Sequence, residues 1–235
     1  GHREGWGPWQ AYSKEDYAYL KRFIGNRIDD WKFSSCVSFA CVQILRHFHS
    51  GRYYGPNRRD EYPIADGVIN TDGTINWADL LAFPVMQVFA VSNKDDLIAL
   101  LEDEMRRDTN RGKDKKKRFE IFEHGMRAAQ GHSGNYARHG VDLSSFQTTF
   151  DRQHPKWQER LFHGTRREFA DGIARFGLWT GGKGGRQVRA QIHMVRSILG
   201  DGEIDGVREG SDTIVEIDAG RILDNGYKMT ISAQN

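Results

Sequence analysis

Residues Met126-Arg127-Ala128-Ala129-Gln130-Gly131-His132-Ser133 pack a cation, an amide, a glycine, an imidazole and a hydroxyl into eight consecutive positions, a mixture that no apolar core requires. Directly upstream, Arg118-Phe119-Glu120-Ile121-Phe122 alternates charged and apolar residues in the manner of a half-buried strand. The polar block is therefore expected where that strand ends, and functional groups collect at such ends. Arg127 gains weight from the company it keeps, with Arg46-His47 before it and Arg208 after it.

A chain of 235 residues can bury a real core as one large domain or as two small lobes, and two lobes is the favoured reading. Hydrophobic content of 38% beside charged content of 28% fits a soluble globular protein. The longest apolar runs fall far short of the roughly 20 residues of a membrane span. The first residues, Gly1-His2-Arg3-Glu4-Gly5-Trp6, carry neither an initiating Met nor an apolar secretory core, so they read as an artificial boundary. Cys36 and Cys41 are the only cysteines, and on one helix that spacing puts them on different faces. No disulfide is expected between them, and the default compartment is the reducing cytoplasm or nucleus. The net charge of +2 hides a basic run from Arg106 to Arg118, which reads equally as a solvated loop or as a phosphate-binding segment.

Taken in order, residues 1–30 hold Trp6, Trp9, Tyr12, Tyr17, Tyr19 and Phe23 without a clean period and are expected as an extension packed onto the surface. Phe33, Val37, Ala40, Ile44 and Phe48 then recur at helical spacing, with Ser34 or Ser35 as the expected cap. The last turn of that helix carries Arg46-His47, where the helix C-terminus favours cations and protonation of His47. Taken without the rest of the chain, simple complementation of the dipole is the preferred explanation of the pair. Gly51 to Asp66 is a long polar loop bearing Arg52, Arg58 and Arg59, and reads as an insertion. Asn70-Thr71-Asp72-Gly73 predicts a tight turn, Thr74-Ile75-Asn76 a short strand, and Trp77 the start of a helix that Pro84 ends. Ser92 to Asp95 caps a further helix with a stripe of Leu97, Leu100, Leu101 and Met105. Helix, strand, two helices and a basic hairpin suggest a winged helix, a lobe that most often touches nucleic acid.

In the second half, Arg160-Leu161-Phe162 predicts a strand leading into His163-Gly164-Thr165, followed by a helix with Phe169, Ile173 and Phe176 that Gly177 closes. Gly181 to Arg186 is a glycine-rich loop whose glycines could cradle a pyrophosphate, but taken alone it reads better as a plain flexible linker. Strands are expected at Gln191 to Val195, Thr213 to Ile217 and Tyr227 to Ser232, completing a small mixed sheet. The chain has no HExxH, no zinc-ribbon cysteine spacing, no Walker loop and no strand-linked GxGxxG. His47 and His49 lack a carboxylate or cysteine nearby in sequence, so no metal is expected.

These residues carry a resemblance. Leu45-Arg46-His47, Asp72-Gly73 with Asp79-Leu80-Leu81, Phe119-Glu120-Ile121, Arg127-Ala128 with Gln130-Gly131-His132-Ser133, His163-Gly164-Thr165, Ile192-His193, Arg208 and Ile214 to Asp218 follow the order of the tRNA 2′-phosphotransferase family. The similarity runs from about residue 34 to the end and leaves out residues 1–30 and the loop from Gly51 to Asp66. It implies an α+β fold in which an extension (1–30) precedes a winged-helix RNA-binding lobe (31–120) and an ADP-ribosyltransferase-like, NAD-binding, mixed-sheet lobe (121–235), with the active site in the cleft between the lobes. It further implies an NAD+-consuming enzyme acting on RNA that bears an internal 2′-phosphate, such as a tRNA splice junction. By the same resemblance Arg46, His47, Arg127 and Arg208 are the catalytic set. Gln130, Gly131, His132, Ser133, His163, Gly164, Thr165, His193, Ser232 and Asn235 are the NAD+ contacts. No metal and no membrane partner are implied, and a monomer is expected. Two departures stand out: Gln191 where the family pattern has histidine, and Phe39 where a helix lysine is usual. Two other functions fit the same fold: an ADP-ribosyltransferase acting on nucleic-acid phosphate ends or protein, and a noncatalytic RNA-binding module.

Overall fold

A computed structural model of the chain describes residues 12–57, 59–110, 118–129, 139–145, 147–179, 191–196 and 210–232. It is a mixed α+β protein with small antiparallel sheets, divided into two compact units, Gly1–Asp142 and Leu143–Asn235.

The first unit begins with helix α1 (Lys14–Ile24), capped by the Ser13 hydroxyl accepting from the Asp16 amide. Leu20, Phe23 and Ile24 of α1, and Ile28 just beyond it, are essentially fully buried. The segment to residue 30 is thus not a surface extension over its described part, which contributes to the core. Its apolar residues fill a single narrow face, and Tyr17 and Tyr19 beside them obscure the period. Helix α2 (Phe33–His47) is the centre of the unit, with Cys36, Val37, Ala40, Cys41, Ile44 and Leu45 wholly inaccessible. Both cysteines are free, and burial pushes each thiol up to about 12. The N-cap of α2 is Lys32 rather than Ser34 or Ser35. Ser35 instead donates to Glu104, far along the chain, at 2.6 Å.

After the turn at Asn70 to Gly73, strand β1 (Ile75–Asn76) runs into helix α3 (Trp77–Leu81). Pro84 does more than end that helix, because it occupies the first turn of helix α4 (Pro84–Val88), where its missing N–H costs nothing. In helix α5 (Lys94–Asn110) the cap is Asn93, whose side chain accepts from the Asp96 amide at 2.9 Å. Its buried stripe is Leu97, Leu101 and Glu104, while Met105 is exposed. The hydrogen bond from Ser35 lets a carboxylate take the place that spacing assigns to Met105. Strands β2 (Phe119–Ile121) and β3 (Gly125–Ala128) complete an antiparallel sheet in the order β1-β3-β2. Because β3 is hydrogen-bonded between the other two strands, residues 125–128 belong to the first unit.

The second unit holds two two-stranded antiparallel sheets among its described residues, rather than one mixed sheet. Strand β4 (Gln147–Thr149) pairs with β7 (Thr230–Ser232), and β5 (Arg160–Thr165) pairs with β6 (Thr213–Asp218) along its whole length. Gln191 to Val195 is not a strand, since only Val195 bridges to Phe162. Helix α6 (Ala170–Phe176) is closed by Gly177 at φ 77° as its pattern predicts. Phe169 and Phe176 are nevertheless exposed. Helix α7 (Ala219–Asp224), capped by Asp218, packs with Phe150, Leu161, Met229 and Ile231 into the core of this unit. Among the described residues no helix is long and apolar enough to cross a membrane.

One glycine is required by a close approach. A Cβ on Gly125 would lie 2.3 Å from the Ile75 carbonyl oxygen on β1. Gly125→Ala should therefore lower the free energy of unfolding by about 1–3 kcal/mol, as overpacking against backbone does. Gly172→Ala in α6, where an added Cβ meets nothing within 4 Å, should be neutral or raise it by up to about 1 kcal/mol. Urea denaturation of the two variants checks the contrast.

Candidate functional site

Arg46 and His47 occupy the last turn of α2, pinned by fully buried Ile44 and Leu45, and both remain half-exposed. The helix ends abruptly at Phe48, which adopts a left-handed φ of 53°. For a bulky side chain that conformation costs about 1–2 kcal/mol. It is held by amide bonds from Phe48 to the Ile44 carbonyl (3.0 Å) and from His49 to the Gln43 carbonyl (3.1 Å). The buried Phe48 ring also meets His139 edge-on at 4.9 Å.

His47 in turn meets the His49 ring at 6.2 Å. The carboxylate that sequence proximity does not supply comes from the loop: Glu61 folds back so that its Oε2 lies 2.6 Å from His49 Nδ1. Its other oxygen accepts from the Gly51 amide (2.5 Å) and the Ser50 hydroxyl (3.4 Å). Among the described residues no group of three or more His, Cys, Asp and Glu side chains is placed to hold a metal ion.

Arg127 lies on β3, the central strand, with 8% of its surface exposed. Its Nε donates to Glu120 Oε2 at 2.5 Å, and Glu120 is its cross-strand partner in the register of β2 and β3. A terminal nitrogen donates to the Asp72 carbonyl at 2.8 Å, and the guanidinium lies 5.2 Å from the centre of the Phe122 ring. The Asp72 carboxylate accepts from the Thr74 amide and hydroxyl, at 2.9 and 2.6 Å. Burial alone would raise its pKa, but those bonds and the charges of Arg127 and His124 outweigh burial and hold it below the usual carboxylate range. Glu120 and Asp72 are the functional neighbours to which residue patterns alone assign no role. The signal for Glu120 was the 118–122 alternation, which becomes informative once 119–128 is read as a hairpin, and Asp72 lies in the turn from Asn70 to Gly73.

In the second unit, His163, Gly164 and Thr165 finish β5 opposite Val215, Ile214 and Thr213 of β6. His163 Nδ1 is 2.8 Å from the His193 carbonyl oxygen. A carbonyl only accepts, so Nδ1 carries the proton and a neutral ring keeps Nε2 as an acceptor. Gln191 does not share a strand face with His193. Its amide pairs reciprocally with that of Gln147, at 3.0 and 3.3 Å, and Thr230 donates to the same Gln147 oxygen at 2.9 Å. Gln147 is also the register partner of Ser232. The structure thus brings His163 to His193 and ties Gln191 to the strand pair that contains Ser232. Gln130, Gly131, His132, Ser133, Arg208 and Asn235 lie outside the described residues, as do the side chain of Ser232, Arg58, the basic turn 111–117 and the glycine loop 181–186.

No curated protein matches the chain. A model of the RNA 2′-phosphotransferase, Tpt1 / KptA family matches residues 41–235, a span that starts within α2 and takes in Arg46, His47, Arg127, His163 and His193. Over most of its length, therefore, the chain belongs to the RNA 2′-phosphotransferase, Tpt1 / KptA family.

Proposed function

We propose that this protein removes an internal RNA 2′-phosphate by transferring it to NAD+, leaving a 2′-hydroxyl RNA, ADP-ribose 1″,2″-cyclic phosphate and nicotinamide. The family match across residues 41–235 carries this reading. The order α2, β1, α3, α4, α5, β2, β3 in the first unit, in which the short α4 stands between α3 and α5, supports a winged-helix RNA lobe. The β5–β6 pair carrying His163-Gly164-Thr165 supports an ADP-ribosyltransferase-like NAD lobe.

The reaction has two displacements. In the first, an oxygen of the RNA 2′-phosphate attacks the anomeric carbon of the nicotinamide ribose, and the carbon–nitrogen bond breaks to release neutral nicotinamide. That step calls for positioning and a water-excluded centre more than for a strong acid. In the second, the neighbouring ribose 2″-hydroxyl attacks phosphorus and expels the RNA 2′-oxygen. Charge then concentrates on the phosphate oxygens, where fixed guanidinium groups act best.

Arg127 is suited to hold such oxygens because Glu120 and the Asp72 carbonyl already fix two sides of its fork. Arg46 joins it on the same phosphate, and His47 handles the proton that moves between the 2″-hydroxyl and the departing 2′-oxygen. Arg208 completes the set. On the NAD+ side, Gly164 offers backbone groups to the carboxamide, flanked by His163 and Thr165. His193, Gln130, Gly131, His132, Ser133, Ser232 and Asn235 contact the dinucleotide. At the position of the missing helix lysine, Phe39 lies under the Arg27 guanidinium at 5.1 Å, so a cation still stands on that face of α2.

The direct test is a short RNA with an internal 2′-phosphate, incubated with and without NAD+. Dephosphorylation should require NAD+ and yield the cyclic phosphate; phosphate loss without NAD+ would overturn the reaction. His47→Ala should separate the two steps, so that RNA-phospho-ADP-ribose accumulates on a gel before slow conversion. Loss of both steps in a folded variant would put His47 in the first displacement or in RNA binding instead. Glu120→Gln keeps an acceptor for Arg127 but removes the charge, and should slow conversion of that intermediate about tenfold, about 1.4 kcal/mol. Glu120→Ala leaves a buried guanidinium without its counter-ion and should also destabilise the fold by about 3–5 kcal/mol. Wild-type kinetics for Glu120→Gln would show that the backbone alone positions Arg127.

A further inference from the structure

The loop from Gly51 to Tyr62 takes no part in the chemistry above, yet it is a built hairpin beside the end of α2. Tyr53 bridges to Glu61, the Tyr54 amide donates to the Asp60 carbonyl (2.8 Å), and the Tyr62 amide donates to the Arg52 carbonyl (2.7 Å). Alternation along such paired segments puts residues 53 and 61 on one face and 52, 54, 60 and 62 on the other. The inner face is fastened to the core. The Tyr53 ring lies 3.6 Å from the Arg22 guanidinium, which also donates to the Gly55 and Asn57 carbonyls. Tyr19 donates to the Gly51 carbonyl at 3.0 Å, and Glu61 is bound to His49.

The outer face is of a different character. Tyr54 and Tyr62 are 62% and 52% exposed, with ring centres 5.0 Å apart and planes at 70°. Arg52, on the same face, and Arg59, at the turn, are also exposed. Meanwhile both acidic groups of the hairpin are occupied, Glu61 with His49 and Asp60 with the Asn57 amide at 3.0 Å. A hairpin that turns two tyrosines and Arg52 to solvent on one face and Arg59 at its turn, with each of its carboxylates already accepting a hydrogen bond, has the chemistry of a stacking surface for unpaired bases. Its root is one residue contact from His47, through His49.

We propose that this hairpin binds single-stranded RNA flanking the 2′-phosphate, with Tyr54 and Tyr62 of its outer face stacking on bases and Arg52 of that face and Arg59 of the turn neutralising phosphates. The inference rests on the RNA 2′-phosphotransferase reading and adds to it a determinant of substrate length. The test uses the full chain, a 2′-phosphorylated dinucleotide, and a single strand of about ten nucleotides, within the span such surfaces cover. The longer strand carries the internal 2′-phosphate and a 2-aminopurine beside it. Tyr54→Ala with Tyr62→Ala should weaken binding of the longer strand about tenfold by fluorescence anisotropy and abolish the quenching of 2-aminopurine that stacking causes. The same pair should lower kcat/KM several-fold more on the longer strand than on the dinucleotide, which has few bases to stack. Tyr54→Phe with Tyr62→Phe keeps the rings and should behave as wild type. Unchanged affinity in the alanine pair, or equal losses in the alanine and phenylalanine pairs, would overturn the platform. A wild-type protein that quenches 2-aminopurine but fails to turn over the dinucleotide with NAD+ would instead overturn the reaction proposed above and leave the platform standing.

Discussion

A guanidinium on the central strand of a small sheet is the constraint around which the first unit is arranged. Withdrawing such a charge from water costs several kcal/mol, and only well-placed partners offset it. Arg127 has among its partners the Glu120 carboxylate across the β2–β3 ladder, the Asp72 carbonyl, and the face of Phe122. Each depends on another element. Glu120 is in register only while the hairpin closes properly, and the Asp72 carbonyl points at Arg127 only while the Asn70 to Gly73 turn is held by the Thr74 bonds to the Asp72 carboxylate. The close approach of β1 to Gly125 keeps that turn beside β3. A neutral residue at 127 would need none of this, which is a physical reason to see the arrangement as one that serves a charge.

The same logic applies at the end of α2. A helix that continued past His47 would carry the next side chains along its axis, whereas the left-handed Phe48 turns the chain sharply and leaves Arg46 and His47 as the last helical residues. Basic side chains there are favoured by the helix dipole. The backbone strain at Phe48 is sustained by its burial and by the two closing backbone hydrogen bonds, so the position of Arg46 and His47 is set by the core rather than by the loop that follows.

Much of this was legible in the sequence. The 3.6-residue period of α2, the Asn70 to Gly73 turn, the His163-Gly164-Thr165 strand end and the Gly177 helix stop all depend on local chemistry, and local chemistry can be read from neighbours in the chain. What escaped depends on partners far apart. Glu104 sits in an apolar stripe because Ser35 of another helix satisfies it. Residues 14–28 enter the core because α2 offers them a surface, although their own pattern is blurred by tyrosines. Glu61 reaches His49 only after a hairpin has formed. Strand β3 finds its partners on both sides, β1 from well before it in the chain and β2 directly before it.

Gln191 illustrates how the structure changes the meaning of a departure. Read along the chain, it is an amide standing where the family pattern has an imidazole, and a loss of function is the natural inference. In space it forms a two-way amide pair with Gln147, giving and receiving one hydrogen bond on the same edge. A neutral imidazole has its donor and acceptor on opposite sides of the ring, so it could not return both bonds. Glutamine at 191 thus ties the start of the 191–196 segment to β4, while two residues later the His193 carbonyl receives the His163 proton and Val195 bridges to β5. The segment is fastened at alternate residues, to β4 at its start and to β5 beyond it. The amide therefore supports the geometry of the histidine that the chain kept, and the departure is better understood as a change in how that histidine is held than as the removal of a ligand.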